Sequence, residues 1–261
     1  MCIRDRTNKI ALVTGGTKGL GKAIVKNLLN SGAIVFFTSR DKKEISEAIL
    51  EGNKNSYPIQ ADMNSTEGIN LVFKSIVDRF GTIDILVNNI GHTLEITDPY
   101  TSKDDWSQVM NLNFLCHVET TNKFLPLMKE KDWGRIINIT SIAGLEVSGP
   151  APFNAAKAAF TAYTRSVGRL LAIENNNVVM TAVAPGIVIT EGGHWEKILK
   201  ENPEHAEKYL NERAALGRFG EINEVTDIIV FLSSENASFF HGSIIQVDGG
   251  QSRHYMSQTY L

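Results

Sequence analysis

Short runs of β-branched and other apolar residues alternate with longer segments of helical periodicity along this chain of 261 residues. Such alternation is typical of βαβ units, in which a helix returns the chain so that the next strand runs parallel to the last. Several runs are apolar on both faces, which indicates a sheet covered by helices on both sides. The predicted strands are residues 9–14, 33–38, 57–60, 83–88, 135–140, 178–183 and 244–247.

The alternation predicts an α/β fold class, a single-domain Rossmann-type doubly wound parallel sheet of about seven strands flanked by helices. One continuous sheet can accommodate this length, so residues 7–261 are expected to form one domain. Residues 1–6 are charged and directly precede the first strand, and we expect them to be extraneous to the fold. Sheets of this kind bind ligands beyond the carboxyl ends of their strands.

The amino-acid composition favours a small-molecule substrate over nucleic acid or a membrane as partner. Hydrophobic residues make up 43% and charged residues 21% of the chain, which is ordinary for a globular domain. A formal net charge of −3 gives no electrostatic reason to expect binding to nucleic acid or to an anionic membrane. Cys2 and Cys116 have no metal-ligand spacing around them, so we expect no metal site and a reducing, cytoplasmic location.

A glycine-rich turn joins the first predicted strand to an amphipathic segment at residues 22–29. It reads Thr14-Gly15-Gly16-Thr17-Lys18-Gly19-Leu20-Gly21. The glycines let the backbone turn sharply and approach a pyrophosphate, while the following helix N-terminus offers unpaired N–H donors and a favourable dipole. Taken alone, the motif also fits a turn that merely joins a strand to a helix. The end of the next strand supports the interpretation as a dinucleotide site.

The second predicted strand ends in residues that indicate which dinucleotide is bound. An NAD-preferring site usually has a carboxylate there for the adenosine ribose hydroxyls, but this chain has Ser39 and Arg40. Arg40 can form bidentate hydrogen bonds to a 2′-phosphate, Ser39 can donate another, and Lys18 adds a second positive charge. The alternative is that Lys18 and Arg40 are solvated surface cations. Their joint placement favours NADP(H) as the cofactor.

Several motifs, in order and over nearly the whole chain, resemble those of the short-chain dehydrogenase/reductase family. They are the glycine turn at 14–21, Asp62 with Met63, and residues 88–91, 185–190 and 247–250. The resemblance implies a homo-oligomer, a tetramer or a dimer, formed through long helices such as those around Asn113 and Phe153. With Lys18, Ser39 and Arg40, already inferred from their charge and position, the predicted cofactor contacts are Gly15, Thr17, Lys18, Gly19, Leu20, Gly21, Ser39, Arg40, Asp62, Met63, Asn89, Gly91, Lys157, Pro185, Gly186, Val188 and Thr190.

The catalytic set of that family is an Asn, a Ser, a Tyr and a Lys, and three of the four have a match here. Asn113 resembles the Asn that holds a water for the proton relay, and Ser141 resembles the Ser that hydrogen-bonds the substrate oxygen. Lys157 resembles the Lys that binds the nicotinamide ribose and lowers the pKa of the neighbouring phenol. Without the resemblance, Asn113 would be a helix-bending polar residue and Lys157 a surface charge.

Phe153 stands at the position of the family's catalytic Tyr, four residues before Lys157. Residues at i and i+4 share a helix face, so the ring is expected beside Lys157, where the phenol would be. Phenylalanine cannot donate a proton to an alkoxide or take one from an alcohol, so the usual proton transfer is lost. Two explanations stay open, an inactive variant made to trap a complex and a natural divergence.

The substrate side is predicted from a strand end and from an insertion at residues 191–215. His92 follows the fourth strand and is a candidate for substrate contact or proton transfer, although a lone histidine is more often an ordinary loop residue. In the insertion, which we expect to cap the site, His194 and Trp195 offer a hydrogen bond and a stacking face to the substrate or else pack against the cofactor. With Ser141 they complete the predicted substrate contacts. The resemblance implies a secondary alcohol or ketone, such as a sugar or a 3-oxoacyl compound.

Three functions stay open at this point. The first is an NADP(H)-dependent oxidoreductase whose chemical step is impaired or altered by Phe153. The second is a regulatory or scaffold protein that binds NADP(H) without redox chemistry. The third is a non-redox lyase or epimerase on the same fold, which would form product without net consumption of NADPH.

Overall fold

Seven parallel strands form one sheet in the computed structural model, which describes residues 5–50, 53–174 and 177–252. The strands are β1 (Ile10–Val13), β2 (Ile34–Ser39), β3 (Ser56–Gln60), β4 (Ile85–Asn88), β5 (Gly134–Ile139), β6 (Val178–Pro185) and β7 (Ile244–Val247). Every residue of β1, β4 and β5 is buried. The apolar runs in the sequence therefore became strands that are covered on both faces.

The strand order is β3-β2-β1-β4-β5-β6-β7. Ala11 of β1 pairs with Val35 of β2 on one side and with Ile85 of β4 on the other. The chain thus adds strands outward in one direction from β1 and then in the opposite direction from β4. The crevice beyond the carboxyl ends of these two strands is where doubly wound sheets bind ligands. The predicted Rossmann-type fold is confirmed.

Helices cover both faces of the sheet. Within the described ranges the α-helices are α1 (Gly19–Asn30), α2 (Lys42–Leu50), α3 (Thr66–Phe80), α4 (Lys103–Met110), α5 (Cys116–Glu130), α6 (Ala151–Ile173), α7 (His194–Glu201), α8 (Pro203–Arg213) and α9 (Ile222–Leu232). One core cluster contains Ile24 of α1 and Ile229 of α9, and the other contains Ile76 of α3 and Phe124 of α5. Burying such a side chain contributes roughly 1.5–3 kcal/mol relative to leaving it exposed.

A turn of π-helix, Asn111–Leu115, lies between α4 and α5. The turn is wider than an α-helical turn because its hydrogen bonds span one more residue, and such turns often occur at functional sites. Asn113, in the middle of this turn, is fully buried. The π-helical turn therefore directs a candidate catalytic residue into the protein.

Six of the seven predicted strands shift by one or two residues at one end or both. β6 continues past residue 183 because Ala184 and Pro185 still pair with β7. Arg6, which the sequence analysis assigned to an extraneous segment, is only 2% exposed, and its guanidinium donates hydrogen bonds to Ser233 Oγ at 2.9 Å and to the Val230 carbonyl. Arg6 therefore belongs to the folded unit, whereas residues 1–4 lie outside the described residues.

The insertion predicted at residues 191–215 contains α7 and α8. A β-bridge between Val188 and Gly220 closes its base. The N–H of Ile189 donates to the Gly220 carbonyl at 3.1 Å, and the N–H of Gly220 donates to the Ile187 carbonyl at 2.9 Å. The segments that enter and leave the two helices are therefore held together by backbone hydrogen bonds.

Candidate active site

A cavity of 1030 Å³ lies beyond the carboxyl ends of the strands. Its lining includes Gly15 after β1, Ser39 at the end of β2, Asn89 after β4, Ser141 after β5 and Pro185 at the end of β6. Because parallel strands end at the same edge of a sheet, residues far apart in sequence meet here. The cavity occupies the ligand-binding position of a doubly wound sheet.

The turn after β1 allows a ligand to approach its backbone closely. Gly15 has a φ of 66°, in the left-handed region that glycine adopts without steric cost. A Cβ atom on Gly21 would lie 2.0 Å from the carbonyl oxygen of Gly15, so only glycine fits there. The first N–H groups of α1, which begins at Gly19, have no partners within the helix. The turn is therefore suited to hold a pyrophosphate.

Asn89 connects the end of β4 to this turn. Its Nδ2 donates to the carbonyl oxygens of Thr14 at 2.9 Å and Gly15 at 3.2 Å. Its backbone N–H donates to Thr14 Oγ1 at 2.9 Å. These three bonds join the carboxyl ends of β1 and β4 into one edge of the cavity.

Asn113 is buried and lies outside the lining of the cavity. Both N–H groups of its carboxamide are committed, because Nδ2 donates to the carbonyls of His92 and Val109 at 2.9 Å each. Its Oδ1 accepts the backbone N–H of His92 at 3.0 Å. The side chain is therefore committed to the loop after β4, and the role of Asn113 in holding a water stays a prediction.

His92 lines the cavity, and its own loop orients its ring. Nδ1 accepts the N–H of Leu94 at 2.8 Å, so the neutral ring carries its proton on Nε2. Leu94 and Glu95 have φ angles of 56° and 59°. Residues other than glycine adopt this left-handed region at a cost in conformational energy. The loop is thus held in a sparsely populated conformation that presents a ring N–H donor.

Ser141, Phe153 and Lys157 all line the cavity. The Nζ of Lys157 lies 5.6 Å from the centroid of the Phe153 ring and donates to the Ile139 carbonyl at 2.9 Å. Phe153 therefore lies beside Lys157, as the spacing predicts. The Oγ of Ser141 accepts the N–H of Ala143 at 3.1 Å, which leaves its hydroxyl proton available to a substrate oxygen.

Lys157 carries its amine into the protein interior, where only 3% of the residue is exposed. Burial lowers the pKa of Lys157 to about 8. The amine is therefore still mostly protonated at neutral pH. Its charge lies 5.6 Å from the ring centroid of Phe153 and 5.8 Å from that of Phe160, distances at which aromatic faces stabilise a cation.

Glu44 brings a carboxylate into the set of residues that the sequence predicts to bind a 2′-phosphate. Its Oε2 accepts from Thr17 Oγ1 at 2.5 Å and from Ser39 Oγ at 2.7 Å, and its Oε1 pairs with Lys18 Nζ. Burial raises the pKa of Glu44, but the hydrogen bonds from Lys18, Thr17 and Ser39 outweigh this effect, and the pKa is lowered overall. Arg40 is exposed on the lining and forms no ion pair with the residues that the structure describes.

Most of the predicted cofactor residues line the cavity. They are Gly15, Thr17, Lys18, Leu20, Gly21, Ser39, Arg40, Asp62, Met63, Asn89, Gly91, Lys157, Pro185 and Gly186. Gly19, Val188 and Thr190 lie outside the lining. A Cβ atom on Gly19 would lie 3.4 Å from the Cβ of Thr190, so these two residues adjoin, whereas Val188 packs against the core.

The predicted substrate residues His194 and Trp195 also lie outside the lining of the cavity. The rings of Tyr209 and Phe219 have their centroids 4.4 Å and 5.1 Å from that of Trp195. His194 meets the same indole edge-on at 5.3 Å. Trp195 therefore packs against aromatic side chains within and beside the insertion and is only partly buried.

Glu44 was not among the residues singled out from the sequence, although a signal for it exists. Asp41 caps the start of α2 by accepting the N–H groups of Lys43 at 2.7 Å and Glu44 at 3.3 Å. An Asp followed three residues later by Glu is a helix-start pattern, and a side chain in the first turn leans back toward the N-terminus. The pattern therefore predicts that Glu44 reaches back over the end of β2.

His117 was missed as well, and no local pattern indicates it. Its Nε2 bonds the Ile90 carbonyl at 2.8 Å, and its ring stacks on Phe160 with centroids 4.7 Å apart. Burial and the positive charge of Lys157 lower the pKa of His117 to about 3. The ring is therefore neutral and supports the backbone segment that lines the cavity at Ile90.

The described residues hold no group of three or more His, Cys, Asp or Glu side chains arranged to bind a metal ion. Cys116 is buried and free, and Cys2 lies outside the described residues. None of the helices in residues 5–50, 53–174 and 177–252 combines the length and the apolar character needed to cross a bilayer.

Comparison with known proteins identifies the family. The family model described as enoyl-(acyl carrier protein) reductase matches residues 15–252. The 3-oxoacyl-[acyl-carrier-protein] reductase FabG of Aquifex aeolicus is 37% identical over 93% of this chain and 96% of its own length. The (2S)-[(R)-hydroxy(phenyl)methyl]succinyl-CoA dehydrogenase subunit BbsD of Thauera aromatica is 31% identical over 94% of this chain and 97% of its own. The chain therefore belongs to the short-chain dehydrogenase/reductase family, oxidoreductases that use a nicotinamide cofactor.

Solved structures agree with this assignment over almost the whole chain. L-sorbose reductase from Gluconobacter frateurii, in complex with NADPH and L-sorbose, is 26% identical with a TM-score of 0.85, over 96% of this chain and 98% of that one. The RhlG/NADP active-site complex of Pseudomonas aeruginosa is also 26% identical with a TM-score of 0.85, over 95% and 98%. The fold is therefore that of the family throughout.

Proposed function

We propose that the protein is an NADP(H)-dependent oxidoreductase that acts on a secondary alcohol or ketone, and that Phe153 slows its chemical step. The observation that carries this proposal is the shared cavity, in which the amine of Lys157 and the hydroxyl of Ser141 face the same space as the glycine turn. The relatives add support, since one is a 3-oxoacyl reductase and one was solved with NADPH and a ketose.

The residues of the cavity fit a dinucleotide. The glycine turn would hold the pyrophosphate, Asp62 would adjoin the adenine, and Pro185 would adjoin the nicotinamide carboxamide. When bound, NADPH supplies a hydride for the carbonyl carbon. Ser141 would donate a hydrogen bond to the substrate oxygen, and Lys157 would bind the ribose and stabilise negative charge that develops on that oxygen.

Reduction also requires a proton on the substrate oxygen, which the Phe153 ring cannot provide. General acid catalysis typically contributes roughly 10²–10⁴-fold, or about 3–5 kcal/mol of barrier. We therefore expect a slow reaction in which water or the Ser141 hydroxyl delivers the proton. The ring N–H of His92 is a further donor on the same lining.

The phenol can be restored by Phe153→Tyr. We expect turnover to rise at least tenfold with NADPH across a panel of sugar ketones and 3-oxoacyl thioesters, while the affinity for NADPH hardly changes. Phe153→Leu, which stays apolar and lacks a hydroxyl, is the control and should remain slow. Equal rates for the parent protein and Phe153→Tyr on every compound would favour a non-redox binding protein, and product without NADPH consumption would favour a lyase or epimerase.

Homo-oligomerisation as a dimer or tetramer stays a prediction. Support comes from apolar side chains that are left exposed on the long helix α6, where Leu170 is 57% and Ile173 is 65% exposed. Apolar surface of this kind is often covered by a second subunit.

A further inference from the structure

The carboxylate of Glu44 occupies the donors that the proposed 2′-phosphate site needs. Thr17 Oγ1, Ser39 Oγ and Lys18 Nζ all point their hydrogen atoms at its two oxygens. The side chain of Glu44 is 17% exposed, whereas that of Lys18 is 72% exposed. The carboxylate of Glu44 is thus largely buried, and Lys18 lies on its solvent side.

A carboxylate and a phosphate cannot share these donors without a cost. Two like charges within about 4 Å repel each other at a protein surface, and each would be left with fewer donors. A ribose hydroxyl, by contrast, is neutral and can donate a hydrogen bond to a carboxylate oxygen. The same arrangement therefore acts against a 2′-phosphate and in favour of a free 2′-hydroxyl.

We propose that Glu44 weakens the preference of this protein for NADPH over NADH, because its carboxylate competes with the adenosine 2′-phosphate for Thr17, Lys18 and Ser39. NADPH binds when the side chain of Glu44 turns away and leaves these donors, together with Arg40, to the phosphate. NADH binds with Glu44 in its present position. The inference rests on the proposed function, since it requires a nicotinamide dinucleotide in this cavity.

The location of Glu44 makes this exchange feasible. The residue is in the first turn of α2 and reaches the donors through a side chain with three rotatable bonds. Asp41, rather than Glu44, caps the helix. Glu44 can therefore change its rotamer without opening α2.

The test is a binding measurement that requires no turnover. Dissociation constants for NADPH and for NADH are measured by calorimetry on the full chain, on Glu44→Gln and on Glu47→Gln. Glu44→Gln removes the charge and keeps the size of the side chain. Glu47 belongs to the same helix but pairs with Lys43, at 3.8 Å on the surface, and therefore serves as the matched control.

We expect Glu44→Gln to bind NADPH at least fivefold more tightly and NADH no more tightly than the parent protein, with Glu47→Gln like the parent. NADPH affinity within twofold of the parent would overturn the role of Glu44 while leaving the proposed function intact. Absence of binding by the parent with both cofactors would overturn the proposed function and this inference together. If Glu44→Gln melts at a lower temperature than the parent, Glu44→Ala, with no carboxamide to misplace, is measured by the same criterion.

Discussion

The carboxamide of Asn113 binds the backbone of His92 twice, since Oδ1 accepts its N–H at 3.0 Å and Nδ2 donates to its carbonyl at 2.9 Å. A side chain thereby imitates the edge of a neighbouring strand for a single residue. The partner residue stands at the start of the loop in which Leu94 and Glu95 have left-handed backbone angles. Asn113 therefore compensates part of the conformational cost of this loop.

Replacement of Asn113 by Ala should destabilise the protein and loosen this loop. The change leaves the N–H of His92 and the carbonyls of His92 and Val109 without these partners, and we expect the free energy of unfolding to fall by about 2–4 kcal/mol. Amide hydrogen exchange in residues 92–98 should accelerate, which mass spectrometry of peptides can measure.

Asn211→Ala is the control for this change because Asn211 is exposed on α8. It should alter neither the stability nor the exchange rates of residues 92–98. Unchanged exchange in that loop after Asn113→Ala would contradict the role of Asn113 as its support.

Acid should destabilise the protein through His117. The folded state keeps this ring neutral, with a pKa of about 3, whereas an unfolded chain protonates it below its ordinary value of 6.5. The unfolded state therefore binds more protons between pH 6.5 and 3, so stability falls as the pH falls. From pH 7 to pH 5 this single group should lower the free energy of unfolding by about 2 kcal/mol.

The variant His117→Gln lacks the titrating ring and can still donate to the Ile90 carbonyl. Urea unfolding at pH 7 and pH 5 should show a loss about 2 kcal/mol smaller for this variant than for the parent protein. His205→Gln, at an exposed position of α8, should follow the parent. The same loss in the parent and in His117→Gln would rule out this origin of acid sensitivity.

The glycine turn should not tolerate a side chain at Gly21. A Cβ atom on Gly21 would approach the Gly15 carbonyl oxygen to 2.0 Å, so Gly21→Ala must displace the start of α1. We expect NADPH affinity to fall at least tenfold by calorimetry and the melting temperature to decrease. Gly81→Asn is the control, because Gly81 caps α3 with a φ of 71° that Asn tolerates and has no atom within 4 Å of an added Cβ. Equal NADPH affinity in Gly21→Ala and the parent would contradict a cofactor site at this turn.

The sheet could be predicted because burial on both faces leaves a direct mark on the sequence. The run that became β1 is apolar at every position, and the glycine turn at Gly15 has a residue type that the backbone angle itself demands. The pairing of Phe153 with Lys157 followed from helix geometry alone. Each of these features depends on residues that are close together in the sequence, so the local sequence pattern predicts it.

Features that depend on contacts between distant segments could not be predicted in this way. The π-helical turn that directs the carboxamide of Asn113 to His92 is one such feature. The packing of Trp195 against Tyr209 and Phe219, 14 and 24 residues further along the chain, is another. Neither contact leaves a mark on the local sequence pattern, because the same residues at the same spacing would also be compatible with other contacts.

The hydrogen bond from Arg6 to Ser233 joins two positions that are 227 residues apart. Contacts between such distant positions carry a loop-closure cost, so we expect this contact to form after the strands between them have assembled. Until then the guanidinium must remain hydrated, because burying it without acceptors is unfavourable. We therefore expect the segment that leads into the central strand β1 to be attached late in folding, and fraying at the end of α9, where Val230 lies, to release it.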